Sequence, residues 1–236
     1  MTKTSQAKRR LPTWLSALTN FVAALIVIAL VQAFVVKIYH VPSASMEKTL
    51  NTGDRILVSR LNGAKPFTPQ NEDVIVFKAA GDWNDNVPSE QESLAKRVLK
   101  TFGDITGIGP SHEKILVKRV IGSPGDTVEC CNSKGQLIRN GHPFNEQYVQ
   151  QDLPFASDES GCGDATLSMR CFGRIDVPAG KYLVMGDNRS NSSDGVARCR
   201  GIALSDAQSC VRFVDATDIV GPVISVIWPV KNWTSL

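Results

Sequence analysis

A serine becomes a useful nucleophile only when a base takes its hydroxyl proton. Ser45 lies in Val41-Pro42-Ser43-Ala44-Ser45-Met46-Glu47-Lys48-Thr49-Leu50, and two lysines are available to it. Histidine is a poor candidate. The chain has only His40, His112 and His142, with no Gly-x-Ser-x-Gly turn, so a Ser-His-Asp triad has little support. Lys48 forms a local S-x-x-K. Lys118 lies in Leu116-Val117-Lys118-Arg119-Val120-Ile121, where strand alternation puts Leu116, Lys118 and Val120 on one face. A lysine on an apolar face is desolvated, which disfavours its charged form. Lowering its pKa from about 10.4 to about 7–8 costs roughly 3–5 kcal/mol and leaves an amine able to accept the Ser45 proton. Lys48 has Glu47 beside it, and an adjacent acid favours the charged amine. The residues alone leave both lysines open as the base, and taken by itself Lys118 reads first as an edge-strand lysine in solvent.

The elements that must position these groups begin with an apolar run. Leu15 to Val36 is 22 residues without a charge; as a helix it is about 33 Å long, against a bilayer core of roughly 30 Å. A cleavable secretory signal is the rival reading, but its apolar region usually spans about 7–15 residues. A retained anchor is expected. Lys3, Lys8, Arg9 and Arg10 precede the run with no acid among them, against Lys37 and Lys48 just after it. That asymmetry places the N-terminus in the cytoplasm and the rest outside. The formal net charge of +3 leaves the remainder of the chain slightly negative, which disfavours nucleic acid as a partner. The 42% hydrophobic content suits a packed core.

Beyond the run, short β-type segments alternate with turn residues. Strands are expected over Arg55–Ser59, Val74–Phe77, Ile115–Ile121, Asp126–Val128, Leu137–Arg139, Lys181–Met185 and Val220–Trp228. Asn140-Gly141 signals a tight hairpin turn. A helix is expected over Ser89–Thr101, opened by the Ser89/Glu92 capping spacing. The fold class is mainly β, in closed or coiled sheets. Six cysteines, Cys130, Cys131, Cys162, Cys171, Cys199 and Cys210, all follow the apolar run, as suits an exported domain with disulfides. Cys162–Cys171 and Cys199–Cys210 would close short loops but strand Cys130 and Cys131, and adjacent cysteines seldom bond each other. Sequence leaves the pairing open. No Cys-x-x-Cys or histidine cluster suggests a metal, and none is expected.

Four blocks in order after the apolar run resemble bacterial type I signal peptidases, the membrane-anchored Ser/Lys enzymes that cleave signal peptides from exported preproteins. They are Pro42-Ser43-Ala44-Ser45-Met46 with Thr49-Leu50, Gly53 to Val58, Lys118 to Asp126, and Gly186-Asp187-Asn188-Arg189-Ser190-Asn191-Ser192-Ser193-Asp194. The resemblance implies Ser45 as nucleophile, Lys118 as general base, an oxyanion hole from the Ser43 hydroxyl and the Ser45 backbone N–H, and Ser192 orienting the Lys118 amine. Arg119, Asp187 and Arg189 read as a supporting ion-pair set, and Asp194 as a brace. Pro42, Met46, Leu50, Leu116 and Val117 are candidate walls for small substrate side chains.

The implied organisation is a cytoplasmic tail over 1–14, an anchor over 15–36, a catalytic part over 37–126 and 181–236, and a smaller β-rich insertion over 127–180. Partners would be exported preproteins, the lipid bilayer and a nearby secretion translocon, with no cofactor. Two departures stand out. The family's proline before Thr-Leu is Lys48 here, so Lys48→Pro is expected to be tolerated. The usual Asp-Ser-Arg ending is replaced after Asp194, leaving its partner open among Arg198, Arg200 and Arg212. The alternatives are an S-x-x-K cell-wall acyl-transferase or carboxypeptidase, and an anchored non-enzymatic scaffold. The former also needs S-x-N, which is missing, and K-T-G, which Lys100-Thr101-Phe102-Gly103 only approximates.

Overall fold

The computed structural model describes residues 12–60, 67–83, 93–94, 100–101, 114–150, 152–155, 162, 168–202 and 207–236. The helix expected over Ser89–Thr101 lies largely outside them.

Helix α1 spans Thr13–Phe34, two residues ahead of the run as read from sequence. Pro12 precedes it, where a fixed φ and a missing N–H cost nothing. Its apolar side chains, Trp14, Phe21, Leu25 and Ile28 among them, are exposed. It is the one helix among the described residues long and apolar enough to cross a membrane. It stops because Val36 and Ile38 enter strand β1 (Val36–His40), which pairs antiparallel with β2 (Arg55–Ser59) from Val36↔Ser59 to His40↔Arg55. A single residue, Val35, separates helix from strand.

The remaining strands are β3 (Val74–Lys78), β4 (Ile115–Gly122), β5 (Thr127–Cys130), β6 (Leu137–Arg139), β7 (His142–Pro143), β8 (Phe172–Asp176), β9 (Lys181–Met185), β10 (Val214–Asp215), β11 (Ile219–Trp228) and β12 (Thr234–Ser235). The first sheet runs β1-β2-β11-β3-β4-β9-β10, with β12 on β11; the second runs β7-β6-β5-β8. The fold is thus mainly β, and all strands of the second sheet fall between β4 and β9.

β11 joins two parts of the first sheet. Its beginning pairs with β3 and its end with β2, with register shifts along the way. Gly221 makes this possible: a Cβ there would lie 1.9 Å from the Ser59 carbonyl oxygen. Strand alternation builds separate cores from single strands. Val74 and Val76 of β3 join Met46, Leu50 and Ile56, whereas Ile75 and Phe77 join Trp83, Val120 and Val184. A third core, including Ile121, Val128, Phe172 and Leu183, binds the two sheets together.

All six cysteines are paired, as Cys130–Cys131, Cys162–Cys171 and Cys199–Cys210. The two local loops close as sequence suggested. The adjacent pair overturns the expectation that neighbours do not bond: Cys130 and Cys131 are joined by a cis peptide bond, which brings their Cα atoms to 3.0 Å.

Candidate active site

Ser45 sits on a single helical turn, Ala44–Met46, just after β1. Met46 and Leu50 anchor this turn in the core beneath it, and the Leu50 N–H donates to the Met46 carbonyl. β4 supplies Lys118 from 73 residues away, with its Nζ 2.5 Å from Ser45 Oγ. Lys118 is buried. Burial pushes its pKa down to about 8, outweighing the carboxylates of Asp194 and Asp187, which raise it; Arg212 lowers it further. The amine is therefore partly neutral near physiological pH and within proton-transfer reach of the hydroxyl.

Lys48 is placed differently. Its Nζ donates to the Gln147 carbonyl, and its backbone has φ +83°. Proline is locked near −65°, so the family's residue does not fit this backbone. The expectation that Lys48→Pro is tolerated is corrected on that ground.

Ser43 Oγ lies 3.4 Å from Ser45 Oγ. Gly186 packs against the Ser45 segment: a Cβ there would meet Ser192 Oγ at 2.3 Å and the Ser45 carbonyl oxygen at 2.5 Å. Only glycine lets the two segments approach so closely. The Asn188 N–H then donates to the same Ser45 carbonyl (3.1 Å). Ser192 Oγ is buried without a hydrogen-bond partner. The hydrogen bond expected from Ser192 to Lys118 is thus not made, and the Lys118 amine is engaged by Ser45 instead.

The supporting ion pairs divide in two. Arg119 donates to both carboxylate oxygens of Asp187 (2.8 and 2.6 Å), to the Glu72 carbonyl and to Thr49 Oγ1. Arg189 does not join them: it is paired with Glu146, a residue the sequence reading missed. The two lie 43 positions apart, and no local pattern links them. Asp194 takes Arg200 (3.0 Å), while Arg212 donates to the Asp194 carbonyl and to Ser193 Oγ. This resolves the three candidate arginines. The Cys199–Cys210 disulfide ties together the segments that carry Arg200 and Arg212.

A cleft of about 360 Å³ opens beside Ser45 and Lys118. Pro42, Met46, Leu116 and Val117 line it, with Tyr39, Val41 and Ile115 as walls not foreseen. Leu50 is corrected: it is fully buried in the core and does not line this cleft. On the β9 side, β4 is paired only from Arg119 to Gly122. The stretch from Ile115 to Lys118 therefore has no strand partner on that edge among the described residues.

The model of the family described as signal peptidase, peptidase S26, matches residues 14–228. A probable signal peptidase I of Mycobacterium leprae is 32% identical over 245 residues, covering 97% of this chain and 81% of that protein. Signal peptidase I of Mycobacterium tuberculosis (strain ATCC 25618 / H37Rv) is 33% identical, over 90% of this chain and 71% of its own. Signal peptidase I P of Bacillus subtilis subsp. natto is 34% identical, over 81% and 82%.

Proposed function

The chain belongs to the signal peptidase family, peptidase S26, serine endopeptidases acting on preproteins with signal peptides, and we propose that Ser45 and Lys118 carry its chemistry. The observation behind this reading is the 2.5 Å approach of a buried, pKa-lowered amine to a serine hydroxyl. Neutral Lys118 takes the Ser45 proton as Oγ attacks the scissile carbonyl carbon. The Ser43 hydroxyl and Ser45 N–H stabilise the oxyanion, each typically worth about 3–4 kcal/mol. The Lys118 ammonium then gives its proton to the departing amine, leaving an ester on Ser45. Water, deprotonated by Lys118, attacks the ester. Collapse of the second intermediate returns the proton to Ser45 and frees the carboxylate product. Ser192, with its hydroxyl unpartnered beside the nucleophile, is the group available to aim the amine.

The substrate adds as an extended strand along the open edge of β4, with small side chains against Pro42, Met46, Leu116 and Val117. α1 acts as a single-pass anchor in the cytoplasmic membrane. The catalytic part then lies on the extracytoplasmic side, against the lipid bilayer and near the translocon that delivers preproteins. The cell-wall S-x-x-K alternative is disfavoured, because the Lys48 amine is committed to the Gln147 carbonyl. A peptide with an Ala-x-Ala site tests the reading. Wild type cleaves it, while Ser45→Ala and Lys118→Met do not. Retained turnover in Ser45→Ala overturns it.

A further inference from the structure

We propose that Glu146, carried by the strap that leaves the second sheet after β7, is a positioning residue for the reaction. It acts through Arg189 on the loop that holds Ser45 and Ser192 in place. The proposal rests on the reading of Ser45 and Lys118 as the reacting pair.

The side chains of Glu146 and Arg189 are only 8% and 3% exposed. Both carboxylate oxygens accept from the guanidinium, Oε2 from Nη1 at 3.1 Å and Oε1 from Nη2. Such a bidentate pair fixes orientation as well as distance. Tyr148 Oη donates to the same Oε1 at 3.0 Å, which locks the carboxylate from behind. Held this way, Arg189 donates from Nε to the Gly186 carbonyl at 3.0 Å. Gly186 is the residue whose Cα packs between Ser192 Oγ and the Ser45 carbonyl. The path from Glu146 to the reacting atoms is thus two hydrogen-bonded contacts and one close packing contact.

The strap grips the site at three further points. The Tyr148 ring lies 4.1 Å from the Arg119 guanidinium, the Gln150 N–H donates to the Asp187 carbonyl at 3.4 Å, and the Gln147 carbonyl accepts from Lys48. The second sheet therefore contributes to the site while supplying no reacting group. A guanidinium freed from its carboxylate can swing, and Gly186 and Ser192 then lose their fixed distance from Ser45.

Displacing reacting groups by about 1 Å can cost on the order of 100-fold in rate. In full-length protein in detergent micelles, with the Ala-x-Ala peptide, Glu146→Gln should lower kcat about 100-fold and leave KM within about threefold. The acid limb of the kcat/KM profile should move upward as water reaches the loosened Lys118. Activity is measured well below each variant's melting temperature, so that a loss of folded fraction does not masquerade as a lower kcat. The double variant Glu146→Gln/Arg189→Gln replaces the charged pair with a neutral one and should show the same loss, not the product of two. A kcat within threefold of wild type in Glu146→Gln overturns the proposal. So does an unshifted pH limb, or failure of both variants to fold, which would assign the pair to folding alone. Ser45→Ala runs in parallel. If it stays active, the reacting pair is wrong; if it is dead while Glu146→Gln is fully active, only the positioning role falls.

Discussion

Lys118 and Arg119 are successive residues of one strand, both cations and both buried, yet they have opposite electrostatic fates. Arg119 meets a carboxylate with two hydrogen bonds, a threonine hydroxyl, a backbone carbonyl and an aromatic ring. Lys118 meets a serine hydroxyl and an apolar cleft. The carboxylates that act on it, Asp194 and Asp187, are paired with Arg200 and Arg119. Alternation along β4 is what allows this. A charge that must stay is given partners, and a charge that must be shed is denied them. The supporting ion pairs thus withhold acids from Lys118 as well as fixing the loops around it.

Removing the two cations separates their roles, and the largest effect is on turnover. Lys118→Met should lower kcat/KM by about 10⁴-fold or more, because both proton-transfer roles proposed for it disappear. The same change should stabilise the protein at pH 7 by on the order of 3 kcal/mol, the cost of holding a lysine at a pKa of about 8. A peptide-cleavage assay beside a urea titration tests both, and the comparison breaks if stability falls. Asp187→Asn goes the other way, stranding Arg119. Loss of one partner of a buried pair costs roughly 3–5 kcal/mol, visible as a lower urea midpoint.

Titration sharpens the contrast without mutation. The folded pKa of Lys118 lies below its ordinary 10.5, so between about 8 and 10.5 the unfolded chain binds a proton that the folded chain does not. Stability contributed by this group should therefore rise with pH across that window, by about 3 kcal/mol in all. The kcat/KM profile should climb to a plateau past about pH 8. Both signals should vanish in Lys118→Met. The Cys199–Cys210 bridge tests the partners of Asp194: Cys199→Ser/Cys210→Ser should cost about 2–3 kcal/mol and lower activity, as Arg200 loosens. Smallest is Lys48. Lys48→Gly relieves a positive φ and should gain up to about 1 kcal/mol, whereas Lys48→Pro should destabilise; equal melting temperatures would contradict the observed backbone.

What could be read from sequence follows from the range over which each feature is determined. β2, β6 and β9 have the bounds expected of them, because alternating β-branched residues between turn signals are local information. β1 was not foreseen: its first residue, Val36, closes the apolar run and reads equally as the end of a helix. β8 (Phe172–Asp176) falls inside the β-rich insertion expected over 127–180, but no strand was expected over those residues themselves. At the site, Ser45 and Lys118 could be singled out because each lies in a contiguous block, and the structure brings the two within 2.5 Å. Glu146 was not, because its meaning comes only from an arginine on another part of the fold. Leu50 shows the converse failure: an apolar residue near a nucleophile can face inward as easily as into a cleft. Lys48 shows that matching a family's position does not guarantee the family's backbone.

The junction of α1 with β1 has a mechanical consequence. Only Val35 lies between them; its N–H bonds back to Val31 and its carbonyl accepts from the Arg60 N–H at 2.8 Å, so the hinge is stitched on both sides. Ten residues separate Phe34 from Ser45, at most about 40 Å of chain, and five of them are locked into β1. With α1 in the membrane as proposed, a tether with no slack turns it into a depth gauge. On that reading Ser45 sits at one fixed height above the membrane plane, and a peptide bond emerging a helical turn too high or too low would pass it by. Part of the enzyme's selectivity would then be a length measurement, completed before any side chain is tried against the cleft.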